Sequence, residues 1–163
     1  MKIYKLNNYI NDSIIKTIHI ISSTILFGTG IGIAFFMFWA NKFGDNAAKY
    51  YATKTTVLAD FIFTTPAIIF QPISGILLVN MSGFNCSDLW LLMTYIGYII
   101  TVICWLPVVY IQIKMKNIAS NSYHSGEELP SEYYKLFRIW FYLGWPAFIS
   151  LTIIFFIMVF KPV

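Results

Sequence analysis

The chain has 163 residues, 58% of them hydrophobic and only 11% charged, where a soluble domain carries about 25% charged residues. A net charge of +4 arrives without any basic run beyond Lys114-Met115-Lys116, which excludes a nucleic-acid-binding patch. Two cysteines, Cys86 in a loop and Cys104 deep in an apolar run, stand about 20 Å apart along a helix axis, so they make no disulfide framework, and no Cys/His spacing is that of a zinc site.

Four apolar stretches reach the roughly 20 residues that a bilayer requires: 14–39, 57–79, 89–113 and 140–160. The expected fold is all-α, a four-span transmembrane bundle forming one domain over 1–163. The first stretch is too long for a cleavable signal peptide, and no small-residue cleavage site follows it.

Span one contains "SIIKTIHIISSTILFGTGIGIAFF". On a helical wheel Asp12, Lys16, His19, Ser23 and Gly30 fall within about 60°. Ionisable groups inside a membrane point to the bundle interior, so this face is expected to look inward. His19 reads either as an axial haem ligand or proton relay, or as a histidine bonded to a neighbouring helix. Lys16 can snorkel to the surface. Gly28 and Gly32, four apart, are read as a helix-packing pair; the same bare face could admit a flat cofactor.

Residues 40–56 form an expected loop with Lys42, Lys49 and Lys54. Span two, "ADFIFTTPAIIFQPISGILL", places Asp60, Thr64, Gln71 and Gly75 within about 60° of one another on a regular helix, and Pro66 and Pro72 are expected to kink it. Asp60 lies at the depth of Gln112, Lys114 and Arg138. An ion pair of Asp60 with Lys114 or Arg138 is the expected arrangement, and an entry for protons or substrate is the alternative.

Residues 80–88 hold no basic residue. Span three carries Pro107, which frees a backbone carbonyl that neighbours must satisfy. The loop 114–139 carries Lys114, Lys116, Lys135 and Arg138, and its end reads as a short interfacial amphipathic helix before span four. His124 sits in its polar part. The two basic loops hold seven of the 11 basic residues; Lys2, Lys5, Lys16 and Lys161 are the rest. The positive-inside rule then puts both termini outside and these loops in the cytoplasm. No internal repeat is visible.

Four stretches, "IKTIHIISSTILFGTGIGIAFF", "ADFIFTTPAIIFQPISGILL", "CWLPVVYIQIKM" and "LGWPAFISLTIIFFIMVFKP", resemble the bacterial integral membrane family called domain of unknown function 2269, over essentially the whole chain. That resemblance implies a bacterial inner-membrane protein and no particular activity. The segment "KTIHIIS" is also similar to the four-helix membrane protoporphyrinogen oxidase family, which implies haem b held by a span-one histidine, here His19, and a lysine elsewhere. Span three lacks that lysine. Met93 and Met81 stand level with His19, and methionine ligates haem in cytochromes.

The expected function is therefore haem b binding for electron transfer, porphyrinogen oxidation or haem handling. The alternatives are a non-enzymatic subunit or assembly factor of a larger membrane complex, a homo-oligomer among them, or a small transporter. In each the surrounding partner is the lipid bilayer.

Overall fold

The computed structural model describes residues 2–162, with side chains from Asn11 onward. Lys2 and Lys5 lie outside the described side chains. Helix α1 runs Lys2–Phe43, α2 Asn46–Ala59, α3 Thr65–Ser82, α4 Leu89–Ser125 and α5 Ser131–Phe160. A π-helical turn, Asp60–Thr64, joins α2 to α3 without a break. Among the described residues four helices are long and apolar enough to cross a membrane. Their flanks bare Ile, Leu and Phe to the surroundings, up to 76% exposure at Val159, as lipid contact requires.

The helices outrun the apolar stretches. At 1.5 Å per residue, the 37 residues of α4 span about 55 Å, against a hydrocarbon core of about 30 Å. The expected loop 40–56 shrinks to Gly44–Asp45, and 114–139 to a turn at 126–130. Asp45 starts α2 by accepting from the Ala48 amide at 2.8 Å. Gly44 is required there, since a Cβ would lie 2.7 Å from the Ala40 carbonyl oxygen and the Ala48 Cβ. The short interfacial helix is not a separate element: its residues are the opening turns of α5. Tyr133 is wholly buried there, in a core with Met37, Ala52, Met115, Ala119 and Trp140. This end of the bundle carries the basic residues and is called the basic end below.

The helices pack as two pairs, α1 on α3 and α4 on α5, tied together at the basic end by α2, which packs on both α1 and α4. Towards the far end α3 and α4 are bridged by side chains. Val79, Trp90, Leu91 and Ile157 form one cluster; Leu26, Ala67 and Ile68 form another. One bridge answers a backbone defect. Pro72 has no N–H for the Ile68 carbonyl one turn back, and the Tyr98 hydroxyl donates to that oxygen instead.

The close approach of α4 to α5 falls at Gly97, not at the α1 glycines. A Cβ at Gly97 would come within 3.1 Å of Ile154 Cγ1, whereas at Gly28, Gly30 or Gly32 it would meet nothing within 4 Å. Gly28 and Gly32 therefore seat no helix of this chain. Gly97→Leu is expected to cost about 1–3 kcal/mol by overpacking and to lower the detergent unfolding midpoint. Gly28→Leu should leave that midpoint within a degree or two of wild type.

Candidate functional site

Two polar clusters lie between the helices, and they are separate. The first is at His19. The inward stripe of α1 is Ile15, His19, Ser22, Leu26, Thr29, Ile33 and Met37, while Lys16 and Gly30 are exposed. The single face expected for Lys16, His19 and Gly30 is thus split, and Lys16 snorkels outward. The His19 Nδ1 lies 2.7 Å from Ser74 Oγ, and Gln71 donates to the His19 carbonyl at 2.9 Å. The ring passes Gly75, where a Cβ would sit 3.6 Å from Cε1. Ser74 Oγ is itself 2.8 Å from the Phe70 carbonyl, which takes its proton. Nδ1 is then the donor towards Ser74, and Nε2 keeps its lone pair. Ser74 carried no motif in the sequence; only its spacing of three from Gln71 marks it.

The second cluster is at Asp60. Pro66 sets it up. Lacking an N–H, Pro66 cannot close the helical bond to Ile62. The chain widens by one residue, and the Thr65 amide reaches back to the Asp60 carbonyl, an i to i+5 bond. Such π-turns recur at functional sites. Here the widened turn turns Asp60 and Thr64 into a cavity of about 370 Å³. Asp60 is 4% exposed, Thr64 5% and Gln112 2%. Thr64 and Gln112 are the polar neighbours of the Asp60 carboxyl.

The ion pair expected for Asp60 is absent. Lys114 pairs with Glu132 at 2.6 Å, and Arg138 is exposed. Asp60 sits on the inner side of α2, while those two cations point out from the basic end. Five residues that line the cavity each carry a buried polar atom without a hydrogen-bond partner: Asp60 Oδ2, Thr64 Oγ1, Gln112 Oε1, Trp105 Nε1 and Trp140 Nε1. Buried polar atoms are nearly always paired, and each exception calls for a reason. Neither indole was singled out in the sequence. The signal that could have found Trp105 is its spacing on α4 with Thr101, Val108 and Gln112, one helical face.

The cavity has a window. The α1–α5 seam closes at Phe27 and Phe148, stacked at 5.0 Å, and again at Phe38 and Phe141, 5.8 Å apart. Between these contacts Gly30 on α1 and Gly144 on α5 line the cavity, each with open space where a Cβ would be. The rim residues Ile31, Phe35 and Trp145 are 44%, 57% and 52% exposed. The opening therefore faces sideways, towards lipid.

No His, Cys or Met lines the Asp60 cavity, and no group of three or more His, Cys, Asp or Glu side chains that could hold a metal ion occurs among the described residues. Met93 is 41% exposed on α4, a helix that packs on α5 and α2.

The sequence profile of a family described as predicted integral membrane protein, DUF2269, matches residues 13–162. The chain belongs to that family. No curated protein matches it, and no solved structure does.

Burying a carboxylate with no counter-ion costs stability. Asp60→Asn, which keeps the shape and lightens that cost, is expected to leave the detergent unfolding midpoint equal to wild type or higher. Lys114→Ala, at an exposed pair, should cost no more than about 1 kcal/mol. A large loss in Asp60→Asn, recovered by removing Lys114 or Arg138 as well, would restore the ion pair.

Proposed function

We propose that this membrane protein binds a small lipid-soluble amphipathic molecule in the cavity between α1, α4 and α5. The molecule enters from the bilayer through the Phe27–Phe141 window, and its polar head lies against Asp60, Thr64, Gln112, Trp105 and Trp140. The observation that carries this reading is the concentration of unpartnered buried polar atoms on residues that line one largely apolar cavity. Apolar walls with a few convergent polar groups are the general make-up of small-molecule sites. The seven basic residues at one end support an orientation with that end in the cytoplasm and both termini outside.

The protein extracted into lipid-containing nanodiscs should carry one lipid-soluble species enriched over bulk membrane lipid. Gly144→Phe, which puts a ring into the open space at the window, should lose it while remaining monodisperse and helical. Identical lipid complements in the two proteins would overturn the reading.

A haem at His19 is a second reading. The Nδ1–Ser74 bond favours it, because a ligating histidine is normally held by its other ring nitrogen. A bound haem would supply redox chemistry, and Ser74 would fix the ring. Protein from haem-fed cells should then show a Soret band that sharpens on reduction and disappears in His19→Ala. A featureless spectrum leaves His19 as a link between α1 and α3.

A further inference from the structure

We infer that the molecule held at Asp60 has a planar, uncharged, dihydroxylated ring as its head: a hydroquinone on an apolar tail. This rests on reading the cavity as a ligand site and adds the chemistry of the head. Charge narrows the class first. No Lys or Arg lines the cavity, and Asp60 does, so a phosphate or carboxylate head would meet a carboxyl group and no cation. Hydrogen bonding narrows it further. Asp60 Oδ2 and Gln112 Oε1 call for donors, while Trp105 Nε1 and Trp140 Nε1 call for acceptors. An ammonium ion has no lone pair for the indole N–H groups. An ester or an oxidised quinone accepts only, and leaves the two oxygens unpaired. One hydroxyl can answer one oxygen and one indole; two hydroxyls on one ring can answer all four. Leaving such a group unmatched costs far more than matching it gains.

Shape points the same way. The two helices that flank the window present Gly30 and Gly144, whose bare backbones leave open space beside a ring. Aromatic rings from Phe27, Trp105 and Phe148 stand around it, and flat rings pack well against such faces. A volume of about 370 Å³ holds a ring head and leaves the tail to run out between α1 and α5. No electron transfer is part of the inference: the head binds as the reduced ring, and the carboxyl and indole groups position it.

The test is calorimetric titration of the full chain in nanodiscs, under argon, with a short-tailed ubiquinol analogue and with the same compound oxidised. Dioleoylglycerol and oleate serve as neutral and anionic comparisons. The reduced ring should bind at one saturable site, about tenfold tighter than the oxidised form, and Trp105→Phe should weaken it three- to tenfold. Gly144→Phe should abolish binding, which covers the case in which Trp105→Phe does not fold. Equal binding of the two redox forms, or binding that survives Gly144→Phe, would overturn the inference. Saturable binding of dioleoylglycerol or oleate but neither ring form would overturn it too, and would leave a lipid site standing. No binding of any probe, with no lipid lost from Gly144→Phe, would remove the site altogether.

Discussion

Backbone hydrogen bonds cannot be left open inside hydrocarbon, and the rest of this structure depends on how the chain meets that demand. Each unsatisfied carbonyl or amide there costs several kcal/mol. Pro66 and Pro72 each remove a donor from the second crossing. The chain answers the first with a π-turn at Asp60–Thr64 and the second with a hydroxyl from a neighbouring helix, Tyr98. One repair turns two polar side chains into the bundle. The other fastens α4 to α3 where their backbones stand apart. The cavity follows from both: a widened turn on one side, and helices held at the length of a tyrosine on the other.

The packing decides where the cavity can exist. At the basic end a continuous core from Met37 to Trp140 locks α1, α2, α4 and α5, and supports the closed, polar end of the site. Farther along, the two helix pairs part, and α1 touches α5 mainly through rings. A rigid floor and a loose lateral seam are what a ligand arriving from lipid needs. The unpaired Asp60 is costly to the fold without something to bond. It lies at the cavity and not in the well-packed basic core.

The gross architecture was legible in the residues, because apolar length alone dictates the crossings. The extent of the helices was not: Lys42, Lys49, Lys114 and Lys116 read as loop charges but ride on helices that continue past the apolar core. Asp60 and Gln112 were legible as polar groups at one depth. The ion pair of Asp60 with Lys114 or Arg138 was a wrong expectation, since depth does not fix azimuth, and Lys114 points to Glu132. The wheel that grouped Asp60 with Gln71 assumed 100° per residue throughout, and the π-turn breaks that count. Gln71 and Gly75 consequently face His19, while Asp60 and Thr64 face the cavity. Gly97, which seats α5, has Thr101 and not a second glycine four positions on, and that pair carried no mark in the sequence.

The π-turn has a consequence for how this chain could change. A helix that carries one surplus residue holds two otherwise incompatible registers in a single rod. Within it, Asp60 and Thr64 face the cavity; after it, Gln71 and Ser74 face α1. Loss of one residue between 61 and 63 would remove that surplus and close the turn to a regular helix, leaving Ser74 against His19. Loss of one residue from α3 between Pro66 and Gln71 would instead swing everything after it by about 100°, taking Ser74 away from His19 while Asp60 stayed in place. Where a residue is lost along this crossing therefore matters more than the roughly 1.5 Å of length it removes.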